Sequence, residues 1–148
     1  MFATMSCLST STSINTAQST SEGVEMNKIA DAIKRAQTEG GDGNAIVVIA
    51  DTKKNYYIQF AMMRGKAEIY AEAVSNKYLK PENALSDEQL SKLEALGWQR
   101  NEGQNYYRNW TANNDEDREA ISQDVMRAFI EVYGLPVNVE VKIELILE

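Results

Sequence analysis

Residues 56–63 read YYIQFAMM, 69–79 read IYAEAVSNKYL, 84–98 read ALSDEQLSKLEALGW and 105–110 read NYYRNW. The first two segments are short, apolar and rich in β-formers, which predicts strands. In the third, Ser86 suits an N-cap and Gln89 stands three residues on, completing a capping box. Leu85 and Leu90 flank that start as a hydrophobic staple, and Leu90, Leu93 and Leu96 continue the apolar stripe of a helix. Gly97 suits the left-handed residue that ends it. The fourth segment reads as a short strand, with Trp98 and Trp110 expected to flank a small hairpin. Nine of the twelve aromatic residues and both tryptophans fall between Tyr56 and Trp110.

Working back from Tyr56, the turn Thr52-Lys53-Lys54-Asn55 joins it to Ala45–Asp51, an apolar β-branched run that reads as a buried strand. On the second strand Tyr56, Ile58, Phe60 and Met62 share one face, and Tyr57, Gln59, Ala61 and Met63 share the other. After the turn Arg64-Gly65-Lys66, Ile69–Ser75 completes an antiparallel meander. Upstream, Met26, Ile29, Ala30, Ile33 and Ala36 or Gln37 follow helical spacing from Glu22 to Thr38, with Ser21 as N-cap. Gly40-Gly41-Asp42-Gly43 stops this helix. The glycines do not read as a phosphate loop, because no Lys-Ser/Thr follows and the chain enters a strand. Residues 1–21 are Ser/Thr-rich and carry no charge, so a disordered tail is expected there.

Working forward from Trp110, Asn113–Asp117 is acidic but lacks the spaced ligands, central glycine and closing glutamate of a calcium loop. It suits the positive start of a helix running from about Glu116 to Tyr133, with Ile121, Val125, Ala128, Phe129 and Val132 buried. Gly134-Leu135-Pro136 ends that helix. Val137–Leu147 alternates apolar and polar residues as a half-buried strand, suited to a sheet edge within this chain or with a second copy.

The 148 residues therefore suit a tail (1–21) and one α+β domain (22–148). An antiparallel sheet, made of a three-strand meander plus short strands, should be flanked by three helices. The net charge of −7 with no basic run argues against nucleic-acid binding. The sequence has no histidine and one cysteine, Cys7, which excludes Ser-His-Asp and Cys-His catalysis and His- or multi-Cys zinc sites within these residues. No apolar run approaches a membrane span. The first twenty residues do not read as a secretory signal, so a cytoplasmic location is the default expectation.

The YYIQFA, AEAVSNKYL, LSDEQLSKLEALGW and NYYRNW segments together resemble a bacterial family of small chaperone-like domains, related to type III secretion chaperones and to YbjN-type proteins. AEAVSN and the L-S-x-x-Q-x-x-x-L-x-x-L-G-W pattern carry the resemblance, which spans about Tyr56 to Tyr133. It implies a non-enzymatic α+β domain that binds extended segments of a partner protein, often as a dimer, and it implies no catalytic, cofactor-binding or metal residues.

Such a module would bind a protein or peptide client on a sheet edge and apolar patches, with Tyr57, Met63, Tyr70 and Tyr78 as the candidate peptide-binding residues. Methionine adapts to varied contacts, and tyrosine offers an apolar body with a polar tip. The bland alternative is that all four pack the sheet against the helices. A second reading is a self-associating structural or regulatory protein built on the alternating C-terminal strand. A third is an enzyme using carboxylates among Glu68, Glu72, Asp87, Glu88 and residues 115–117, although these do not converge in a motif.

Overall fold

A computed structural model of the chain describes residues 23–148. Five short runs pair as strands: β1 (Asn44–Asp51), β2 (Tyr56–Met62), β3 (Glu68–Ala73), β4 (Tyr106–Thr111) and β5 (Lys142–Ile146). All pairings are antiparallel, in the spatial order β4-β3-β2-β1-β5. Helix α1 occupies residues 23–38, α2 Asp87–Ala95 and α3 Asp115–Arg127, which continues as a π-helical turn over Ala128–Val132. The expected tail 1–21 and the Ser21 cap lie outside the described residues.

Period-two alternation decides the layering. Ile46 pairs with Phe60 and Phe60 with Ala71; one step along, Val48 pairs with Ile58 and Ile58 with Ala73. These six residues are buried and belong to one cluster with Ile29 and Ile33 of α1, Leu93 of α2, and Ile121, Val125 and Phe129 of the third helix. All three helices thus cover the same face of the sheet. Burying a residue such as Phe60 contributes roughly 1.5–3 kcal/mol. A slip of one residue in β2 would exchange its whole buried set for the opposite one.

Buried polar side chains tie the helices to the sheet. Asn44 Nδ2 donates to the carbonyls of Ala36 and Glu39 at 2.7 and 2.8 Å, satisfying the open end of α1. Its Oδ1 accepts from the Gly41 and Glu148 amides. Gly40, at φ 70°, lies against this carboxamide, and a Cβ there would collide with Asn44 Oδ1. Gln37 Nε2 donates to the Lys66 and Ala112 carbonyls at 3.1 and 3.0 Å, and its Oε1 accepts from Arg118 Nε. At the other end of α1, Glu25 Oε1 accepts from the Val141 amide at 2.7 Å and from Lys28.

The capping box forms as read: Ser86 Oγ accepts from the Gln89 amide, and Gln89 Oε1 accepts from the Ser86 amide. Gln89 Nε2 also donates to the Val132 carbonyl at 2.7 Å, pinning α2 to the π-helical turn. Gly97 takes φ 104°, and Arg108 Nη1 donates to the adjoining Leu96 carbonyl.

Three expectations need correction. The tryptophan-flanked hairpin is reduced to a single bridge, Gln99 to Tyr107, because β4 instead pairs along its length with β3. Buried Trp98 and partly buried Trp110 meet edge to face, 5.6 Å between centroids. The final strand is shorter than its alternation suggests: Val137 and Asn138 form a turn closed by the Val139 amide on the Pro136 carbonyl, and pairing with β1 begins at Lys142. Val139 and Val141 are nevertheless buried, while Val137 is exposed. The last helix ends at Val132, within a residue of the expected end, but its final turn from Ala128 is π-helical rather than α-helical.

Ser86→Ala should lower stability by about 1 kcal/mol. Gln89→Ala should cost more, since it also leaves the Val132 carbonyl unpaired. Urea unfolding with an unchanged slope would register both losses.

Candidate functional site

The face turned away from the helices is uncovered among the described residues. Register sets its rows. One row runs Asn109, Tyr70, Ala61, Ala45, Ile146 across the five strands; the next runs Tyr107, Glu72, Gln59, Val47, Glu144. In the first row two alanines lie between two large side chains, so the middle of the sheet forms a trough. Tyr70 and Ile146 are exposed to 38% and 40%.

A groove of about 470 Å³ opens at one end of this face. Ala61, Met63, Tyr70 and Asn109 line it, with Lys66 and Glu68 also at its wall. A second groove of about 260 Å³ lies along β1 and β2, lined by Val47, Ile49, Asn55, Tyr57 and Gln59. Glu72 sits in the row beside Gln59. Its Oε1 accepts from Gln59 Nε2 at 2.9 Å and from Asn105 Nδ2 at 3.4 Å, and its Oε2 accepts from Tyr70 OH at 2.8 Å. Asn105 also donates to Tyr57 OH, and its Oδ1 accepts from the Ser75 amide. The Tyr70 and Tyr107 rings stack at 6.2 Å. Aromatic and aliphatic faces interrupted by a few fixed polar groups suit the side chains of a bound segment.

The four residues singled out from sequence divide accordingly. Met63 and Tyr70 meet in the larger groove, and Tyr57 lines the smaller one. Tyr78 lines neither. It ends the 3-10 turn Asn76–Tyr78, with its hydroxyl 3.3 Å from Gln104 Oε1, and touches the site only through its carbonyl, which accepts from Asn55 Nδ2. Sequence reasoning weighed Glu72 only as a catalytic carboxylate, and it missed Tyr107 and Asn109. Tyr70 and Glu72 are two residues apart on β3, a signal that could have found Glu72; the β4 residues needed the β3–β4 pairing. Of the carboxylates weighed for catalysis, Asp87 and Glu88 fill the first turn of α2 and Asp115–Asp117 that of α3. Among the described residues no group of three His, Cys, Asp or Glu side chains is placed to hold a metal ion. No described helix is long and apolar enough to cross a membrane.

A family model described as "TY-Chap3: T3SS (YopN, CesT) and YbjN peptide-binding chaperone 3" matches residues 27–144. No curated protein and no solved structure matches the chain. The matched range takes in most of α1 and enters β5, elements beyond the Tyr56–Tyr133 span of the resemblance.

Partial burial, then the hydrogen bond to Glu72 and that carboxylate's charge, push the Tyr70 phenol up from 10.0 to about 12. Burial raises Tyr133 as well, and its hydroxyl donates to the Val74 carbonyl at 2.6 Å. Raised folded-state values mean that these phenols' contribution to stability is complete below pH 10 and lost as pH rises; for Tyr70 the loss runs through about pH 12. Following tyrosinate absorbance, Tyr70→Phe should remove one late-titrating phenol from the folded protein and leave the earlier ones in place.

Proposed function

The chain belongs to the T3SS (YopN, CesT) and YbjN peptide-binding chaperone family, and from that premise we propose that it binds a segment of a client protein on the helix-free face of its sheet, without catalysing a reaction. The observation that carries this reading is the uncovered trough, floored by Ala45 and Ala61 and continuous with the groove at Met63 and Tyr70. A client side chain entering it would remove apolar surface from water at roughly 25 cal/mol per Å². Large side chains on the floor would prevent that approach. Tyr57, Met63 and Tyr70 are then contact residues, while Tyr78 supports the rim through Asn55.

Ala61→Arg, with a photo-crosslinking side chain at position 70, tests this reading in cells producing the protein. A parent chain with the crosslinker at 70 should capture a discrete client, the same crosslinker at exposed Gln123 on α3 should not, and Ala61→Arg should abolish capture while leaving the melting temperature nearly unchanged. Equal capture from positions 70 and 123 would contradict the reading.

A specific feature favours a second reading, a homodimer through β5. The strand pairs with β1 on one side, and in the spatial order of the sheet it stands at the edge. Antiparallel pairing of two copies centred on Ile143 would set Lys142 of each opposite Glu144 of the other, a favourable cross-strand pair. Lys142→Glu should then shift sedimentation toward monomer, and adding Glu144→Lys should restore the dimer. A sedimentation profile unmoved by Lys142→Glu would remove β5 from any self-association.

A further inference from the structure

We propose that the open face selects client segments carrying a lysine or arginine, docked on Glu72 beside the stacked rings of Tyr70 and Tyr107. This rests on the reading that the open face binds a client segment, and it assigns the chemistry of that segment.

Glu72 is a carboxylate on β3, one strand in from the β4 edge of the open face, half-buried and held by neutral donors only: Gln59, Asn105 and Tyr70. Among the described residues it takes part in no salt bridge, whereas Glu144 in the same row has Lys142 at 3.6 Å. Its neighbours do not neutralise it. Tyr107 lies directly opposite on β4, Gln59 opposite on β2, and Val47 follows Gln59 on β1. While the face is open, water solvates the charge. A segment lying on the face displaces that water, and neutral hydrogen bonds alone do not offset the loss of solvation of a carboxylate. A neutral or acidic segment therefore meets a penalty at this point. A segment that brings a cation converts it into a charge-assisted contact. Discrimination of this kind works by rejecting the wrong partner as much as by attracting the right one.

The acceptor count fits one incoming donor. A carboxylate offers about four acceptor positions. Two on Oε1 meet Gln59 and Asn105 and one on Oε2 meets Tyr70, which leaves one on Oε2. Tyr70 and Tyr107 stack at 6.2 Å with an interplanar angle of 21°, and Tyr70 is 38% exposed, so a ring is available for an ammonium or guanidinium. The chain's net charge of −7 favours the approach of a basic segment.

The test is selection of a phage-displayed random peptide library on the full chain and, in parallel, on the Glu72→Gln chain. Gln keeps an oxygen to accept from Tyr70, and a melting curve establishes that the variant folds. Peptides recovered on the parent chain should be enriched in a Lys or Arg flanked by apolar residues. The best of them, as synthetic peptides, should bind Glu72→Gln about tenfold more weakly. Their affinity for the parent should fall with added salt, and that for the variant should change little. A neutral analogue, its basic residue replaced by norleucine, should bind the variant at least as tightly as the parent. Tyr107→Leu gives a second readout that leaves Glu72 in place: it should weaken the basic peptide and spare the neutral analogue. Peptides without basic enrichment, or basic peptides that keep their affinity for Glu72→Gln, would overturn the role of Glu72 while leaving open-face binding intact. Recovery of no peptide on either chain would overturn the open-face reading and this proposal with it.

Discussion

One-sided burial governs this molecule. The side chains at Ile46, Val48, Ile58, Phe60, Ala71 and Ala73 all point toward the helices and are sealed from water. Because strand side chains alternate strictly, fixing these six fixes the register of β1, β2 and β3 and also decides what the opposite face presents. Tyr57, Gln59, Ala61, Tyr70 and Glu72 are on that face because their sequence neighbours are in the core. The make-up of the helix-free face is thus a by-product of the same alternation that stabilises the fold. Substitutions on it should be tolerated far better than substitutions one residue away.

The helices hold their places through polar side chains as well as apolar ones. Gln37 links α1 to the β2–β3 turn, to the residue after β4 and to Arg118 of α3; Asn44 closes the end of α1 against the last residue of the chain; Glu25 holds the Val141 amide ahead of β5. Each buries its polar atoms against main-chain partners that would otherwise lose water without compensation. These contacts all lie away from the open rows of the helix-free face. Its polar network, centred on Glu72, uses side chains of β2 and β3 together with Asn105 just before β4.

Local physics made much of this fold legible. The capping box at Ser86 and Gln89, the Gly97 stop, the stripe of Ile121, Val125 and Phe129, and the two faces of β2 all depend on residues close in sequence. What stayed hidden depends on distant partners. NYYRNW reads as a strand, but α2 lies between it and β3, and nothing local announces that Trp110 pairs opposite Ile69. Gln37 reads as one more member of a helical stripe, since its partners near Lys66, Ala112 and Arg118 are far along the chain. Alternation extended the last strand to Val137, but the turn after Pro136 keeps that residue out of the sheet. The same limit applied to the candidate site: Tyr57, Met63, Tyr70 and Tyr78 were singled out by residue type, three of them line the grooves of the open face and Tyr78 lies off it, and the three donors that hold Glu72 came into view only with the strand pairing.

Binding on the helix-free face implies that a bound segment perturbs the open strands and spares the outer helix surfaces. Backbone-amide NMR of the full chain, titrated with a tight-binding synthetic peptide, tests it most directly. Shift changes should concentrate at Ala61, Tyr70, Glu72 and Tyr107, with Asp31 of α1 and Glu119 and Gln123 of α3 unmoved. Changes confined to the outer surfaces of α1 and α3, with the open strands silent, would contradict it.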